Sequence, residues 1–260
     1  MKYTVEDIKK SFPESKAKKE PFWGRVFLRR TSFYITYFFI NHNWTPNKVS
    51  LLSCIVATIG CILLCFDQLL FIWMGVFILN IWSVLDCVDG NIARCLKKTS
   101  LAGEFFDAVG GYTISAFIMP GVGMAAYHTT GLFGQYRIYL IFIASLAGIC
   151  DIFSRLIYQK YSNSMMQMEY KRIGADGIAV ENSGFYSNDN HFSFIKKLSL
   201  YIDYEFGIGG DELMFLIIAV LINKIDIFLI MYSLYYIMGF VLVFIIYTKK
   251  MFNYEKEYLN

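Results

Sequence analysis

The chain has 260 residues, 56% of them hydrophobic, 18% aromatic and only 17% charged, with a formal net charge of +3. A soluble domain of this length carries nearer a quarter charged residues, so the composition excludes an ordinary soluble globule and points to a membrane protein. Nine Lys or Arg residues fall within the first 30 positions, but no aromatic-interleaved basic repeat accompanies them, and no nucleic-acid partner is expected.

Residues 1–21 are polar, with Pro13 and Pro21 breaking any long helix. They lack the short apolar core and cleavage site of a signal peptide. The basic stretch reads as a solvated tail or as one facing anionic lipid headgroups. From Phe22 to Ile40 the chain is aromatic and apolar, interrupted by Arg25, Arg29 and Arg30. That pattern predicts an amphipathic helix lying in the headgroup plane. Thr45-Pro46-Asn47 predicts a helix start, with Thr45 as N-cap and Pro46 in the first turn.

Six apolar segments follow, at about 47–66, 69–94, 103–127, 136–158, 210–224 and 227–247. A crossing needs about 20 apolar residues, and the fifth segment is the shortest. The expected fold class is therefore all-α and integral to the membrane: six transmembrane helices preceded by an interfacial amphipathic helix. Residues 1–44 form the N-terminal segment, 45–250 the membrane domain and 251–260 a tail. The connection at about 160–209 is rich in Gly, Asn, Ser and Asp. At that length it reads as a functional loop or a partly ordered insertion.

Charge orients the segments. With the N-terminus in the cytoplasm, Arg94, Lys97, Lys98, Lys160, Lys171, Arg172, Lys196, Lys197, Lys249, Lys250 and Lys256 all fall inside. The other face receives little more than Arg137 and Lys224. The positive-inside rule then places both termini in the cytoplasm. The six cysteines form no CxxC and no Cys/His cluster, so they read as reduced, small hydrophobes and not as a zinc site.

The second apolar segment ends on Asp86-Cys87-Val88-Asp89-Gly90-Asn91-Ile92-Ala93-Arg94. Ionised residues in a membrane segment are costly and are functional candidates by default. On a helix, Asp86, Asp89, Gly90, Ala93, Arg94 and Lys97 share a face roughly 140° wide. Two carboxylates at i and i+3 suit a hard cation such as Mg²⁺. Gly90 lets a ligand approach the backbone, Ala93 keeps the next turn shallow, and Arg94 offers a planar fork for phosphate. On the next helix Gly103, Asp107, Gly110 and Gly111 project together, and Asp107 is placed to complete the acid cluster. The alternative is a helix-end charge cluster in which the two acids pair with Arg94 or Lys97.

Asp86, Asp89, Gly90, Ala93, Arg94, Gly103 and Asp107 stand in the register of the signature D-x2-D-G-x2-A-R-x8-G-x3-D-x3-D. In this the chain resembles the CDP-alcohol phosphotransferases, over about residues 45–125. The resemblance implies transfer of a phosphoalcohol from a CDP-linked donor, such as CDP-diacylglycerol, to an alcohol acceptor, with release of CMP. It implies Mg²⁺ or Mn²⁺ held by Asp86, Asp89 and Asp107. It also implies nucleotide and phosphate contacts at Gly90, Ala93, Arg94, Ser100 and Gly103, with Pro46 and Asn47 nearby. A homodimer in a bacterial or archaeal cell membrane is a further expectation. The chain departs from the pattern at Gly111, where the signature has its fourth Asp, which the resemblance implies as general base for the acceptor. Glu104 and Asp151 are the candidate substitutes. Arg155, four residues after Asp151, reads either as an anchor for an anionic acceptor or as the partner of an internal ion pair.

Overall fold

The computed structural model describes residues 3–17, 20–97, 101–129, 133–173 and 211–259, without the side chains of 169–173 and 257–259. Among the described residues every regular element is helical. Helix α1 (Val5–Lys10) opens with a capping box: the Thr4 hydroxyl accepts from the Asp7 amide, and the Asp7 carboxylate accepts from the Thr4 hydroxyl and amide. Those two donors, hydroxyl first, hold the Asp7 carboxyl below the usual carboxylate range. A single turn, α2 (Glu14–Ala17), follows Pro13, and a π-helical turn (Gly24–Leu28) leads into α3 (Arg29–Asn41).

Helix α3 buries Ser32, Phe33, Thr36 and Ile40 against the rest of the chain and exposes Tyr34, Tyr37 and Phe38. An outer face of aromatic rings suits a helix lying at the membrane boundary. Asn41 closes the segment on itself, accepting from the Tyr3 amide at 2.9 Å and donating to the Tyr3 carbonyl at 3.0 Å.

Helix α4 (Pro46–Leu63) starts as the sequence predicts, with Pro46 in its first turn. Thr45 stands at the N-cap with extended backbone, but its hydroxyl makes no capping bond, so it caps by position only. Helix α5 (Leu69–Leu96) lies so close to α4 that a Cβ on Gly60 would come within 2.9 Å of Leu79. A Cβ on Gly75 would meet the Gly60 carbonyl at 3.0 Å. Small residues at this crossing let the two backbones meet, as is usual between membrane helices. Helices α6 (Leu101–Thr129), α7 (Ile138–Ile173), α8 (Glu212–Leu221) and α9 (Ile225–Leu259) complete the bundle. Helix α6 packs on α4 and α7, α9 lies along α7, and α8 wedges against α5 and α9.

The core between these helices is closed by fully buried Leu79, Ile114, Ile118, Met119, Leu216 and Leu229. The outer surface carries Leu70, Phe77, Phe142 and Met231, each more than 60% exposed. In water such a surface would aggregate; against lipid tails it is the expected exterior.

Six apolar helices thus stand in the expected order, five of them long and apolar enough to cross a membrane. The exception is α8. Its ten residues reach about 15 Å, half of a bilayer's hydrocarbon core. A turn at 222–224, with Asn223 at φ 55°, ends it early. Helices α7 and α9 err the other way: at 36 and 35 residues each runs to more than about 50 Å. The expected loop therefore begins as helix up to Ile173, and the expected tail is helical to Leu259. The rest of that connection, 174–210, lies outside the described residues.

Candidate active site

The end of α5 and the starts of α4 and α6 meet at one end of the bundle, around a cavity of about 440 Å³. Its lining comes from three helices: Pro46, Asn47 and Ser50 of α4, Asp89, Gly90 and Ala93 of α5, and Leu101, Gly103, Glu104 and Asp107 of α6. The volume suits a small-molecule site. Of the residues singled out in the sequence, the structure brings seven to this lining: Pro46, Asn47, Asp89, Gly90, Ala93, Gly103 and Asp107.

Three more stand apart from it. Asp86 lies one turn before Asp89; the residue is exposed, and its carboxyl lies near that of Asp107. Arg94 lies beside the cavity and covers Gly90, its Nη1 within 3.3 Å of where a Gly90 Cβ would be. Arg155 lies outside the lining, paired through Nε with Asp151 Oδ1 at 3.5 Å. Ser100 falls outside the described residues.

Ser50 is the residue that sequence reasoning missed. Its hydroxyl donates to Asp89 Oδ2 at 2.6 Å across the α4–α5 interface. The one available signal was position, since Ser50 follows Pro46 by one helical turn on the same face.

The acids fit a hard divalent cation in chemical type, since all the donors are carboxylate oxygens. Asp86 and Asp107 are neighbours across the α5–α6 junction, and neighbouring carboxylates repel unless a proton or a cation offsets their charge. Among the described residues, no three such side chains are gathered at metal-ligand spacing. Asp89 is held by Ser50 through Oδ2 alone.

Of the two candidate replacements for a fourth acid, the structure separates Glu104 from Asp151. Glu104 is exposed on the cavity wall one turn before Asp107. Asp151 is buried and committed to Arg155. Gly111 itself faces open space, with no atom within 4 Å of a would-be Cβ. Gly110 faces Cys54 of α4, where a Cβ would meet the sulfur at 3.0 Å. The two glycines therefore do different things: Gly110 permits close packing and Gly111 leaves a gap.

An apolar bundle with acids opening at one end brings polar chemistry to a membrane boundary, and this defines a multi-pass membrane protein with a boundary site. The sequence profile of the CDP-alcohol phosphatidyltransferases matches residues 43–172, half of the 260-residue chain and all of α4, α5 and α6. The chain belongs to that family. No curated protein and no solved structure matches it.

Proposed function

We propose that the protein transfers a substituted phosphate group from a CDP-linked donor to an acceptor hydroxyl and releases CMP. Family membership supports the reaction class, a phosphoalcohol transfer from a CDP-alcohol in lipid synthesis. The observation that carries the reading onto this chain is the cavity where Asp89, Glu104 and Asp107 stand around Gly90, with Arg94 against that glycine.

The acceptor oxygen attacks the phosphorus that bears the donor's alcohol. A new P–O bond forms there, the bridging P–O bond of the diphosphate breaks, and its electron pair leaves on CMP. The acceptor's proton passes to a carboxylate, and in this reading Glu104, on the cavity wall, takes it. Arg94, beside Gly90, balances phosphate charge, while Ser50 holds Asp89 in its rotamer. Asp86, Asp89 and Asp107 would hold Mg²⁺ or Mn²⁺, which when bound supplies charge neutralisation at the diphosphate. The donor, CDP-diacylglycerol or another CDP-alcohol, enters at the boundary that the basic residues assign to the cytoplasm. A bacterial or archaeal cell membrane and a homodimer complete the reading.

The test is CMP release by the purified protein from a panel of CDP-alcohols and acceptors, with Mg²⁺ or Mn²⁺ and with chelator. Metal-dependent release, abolished by Asp89→Ala, is expected. A folded protein that releases no CMP from any pair overturns the proposal. The open space at Gly111 favours a second reading, a catalytically impaired relative that binds a CDP-alcohol or serves a membrane complex. In that case Gly111→Asp, which the space accommodates, confers turnover on a protein that otherwise only binds.

A further inference from the structure

Arg94 is held in an unusual way for a cation at a membrane boundary. Among the described residues it makes no ion pair; the two that occur are Arg29–Glu20 and Arg155–Asp151. Its Nε is buried without a hydrogen-bond partner. What fixes the guanidinium is neutral. Nη2 donates to Asn91 Oδ1 at 2.7 Å, and the Phe12 ring lies beneath Cζ with its centroid 5.2 Å away. The flat edge of Gly90 forms the third side.

Asn91 is fully buried and spends its whole amide on this arrangement. Its Nδ2 donates to Ser32 Oγ at 3.1 Å and Thr36 Oγ1 at 3.2 Å, both on α3. Those two acceptors fix which way the amide points. Oδ1 is thereby turned to the two guanidiniums, Arg94 at 2.7 Å and Arg29 Nη1 at 3.4 Å. Arg29 is neutralised by Glu20 and sits over the same Phe12 ring, 4.2 Å from its centroid. Arg94 is the member of the pair left with its charge.

We infer that Asn91 is a positioning residue for the donor's phosphates. It aims Arg94 along the cavity edge while leaving that charge uncompensated for an anionic ligand of the nucleoside diphosphate class. An aspartate would turn a carboxylate oxygen to the same two guanidiniums and cancel the charge, while losing the amide's two donations to α3. Neutrality at this position is the functional property. The inference rests on the nucleotide-binding reading above.

The test is titration of CDP, with Mg²⁺, into the detergent-purified full chain, beside thermal unfolding. Asn91→Asp should weaken CDP binding by about tenfold, the effect of one partly solvated charge contact. The titration is run at a temperature where the variant stays folded, and there a merely structural asparagine would leave CDP affinity unchanged. Asn91→Gln, which stays neutral, should bind within about threefold of wild type. A wild-type chain that binds no CDP overturns the nucleotide reading and this inference together. Wild-type binding that Asn91→Asp leaves unchanged overturns this inference alone. If Asn91→Asp does not fold, the double variant Ser32→Ala/Thr36→Val decides. It keeps Asn91 and frees its amide to turn, so unchanged CDP affinity there also overturns the proposal.

Discussion

The bundle contains two sets of buried-side acids, one open and one closed. In the open set, at the meeting of α4, α5 and α6, Asp86, Glu104 and Asp107 are exposed and Asp89 lines a cavity. The closed set lies where α7, α8 and α9 meet. There Glu212 has no exposed surface and accepts from the Tyr236 hydroxyl at 2.6 Å, while Asp151 pairs with Arg155. Asp211, at the start of α8, accepts from the Trp23 amide at 2.7 Å and ties α8 to the N-terminal segment. It makes no cap on its own helix. Acids that are expensive to bury are thus kept accessible where a ligand is to meet them. Elsewhere Glu212 and Asp211 take donors from other segments, Tyr236 and Trp23, and so tie together elements that apolar contacts alone would let slide.

The strongest way to break this contrast is Asp107→Asn. It keeps the shape of the open set and removes the charge that faces Asp86. Turnover, read as CMP release, should fall about 10³-fold, as when an electrostatic contact to the reacting centre is lost. A fall of less than tenfold would leave the open set without a chemical role. Glu104→Gln comes next. If Glu104 takes the acceptor's proton, turnover falls about 10²-fold, the lower end of what a general base contributes. Asp151→Asn, run beside it, should change turnover less than about threefold. The reverse pattern would move the base to α7.

How much of this was legible in the sequence depends on how far apart the partners are. Asp86, Asp89, Gly90, Ala93 and Arg94 share one helix face, so a fixed angular step placed them together. Gly103 and Asp107 followed because a single short connection turns α5 into α6. Ser50 and Asn91 were not legible. Their importance lies in contacts across 39 and 55–59 positions of chain, which no local spacing encodes. The N-terminal segment was read as a membrane-surface element. Its aromatic outer face agrees with that reading, but nothing in its sequence says that Phe12 lies under Arg94. Helix ends were missed where hydropathy and helicity part. Helix α7 continues through polar Gln159, Lys160, Ser162 and Asn163, because leaving the apolar layer does not oblige a helix to stop.

Ser50→Ala is a smaller perturbation of the open set. It leaves Asp89 without its 2.6 Å donor but keeps the carboxylate and the cavity. Turnover should fall about threefold to tenfold, the range of a single hydrogen bond worth roughly 1 kcal/mol. The loss should lie in kcat with donor KM held, because the hydroxyl orients an acid and does not itself bind the nucleotide.

The smallest effect on turnover is expected in the closed set, and it is the most informative. Tyr236→Phe removes the hydroxyl that donates to Glu212, whose other oxygen, Oε1, is already buried without a partner among the described residues. A buried acceptor stripped of its partner costs about 1–3 kcal/mol, so the unfolding midpoint should drop measurably. Turnover at a temperature where the variant stays folded should remain within twofold of wild type. Glu212→Gln separates charge from shape, since an amide can still accept from Tyr236 without a charge to bury. It should therefore unfold no earlier than Tyr236→Phe. If either variant instead loses CMP release while keeping its midpoint, the closed acids are part of the reaction, and the division between an open set for chemistry and a closed set for assembly fails.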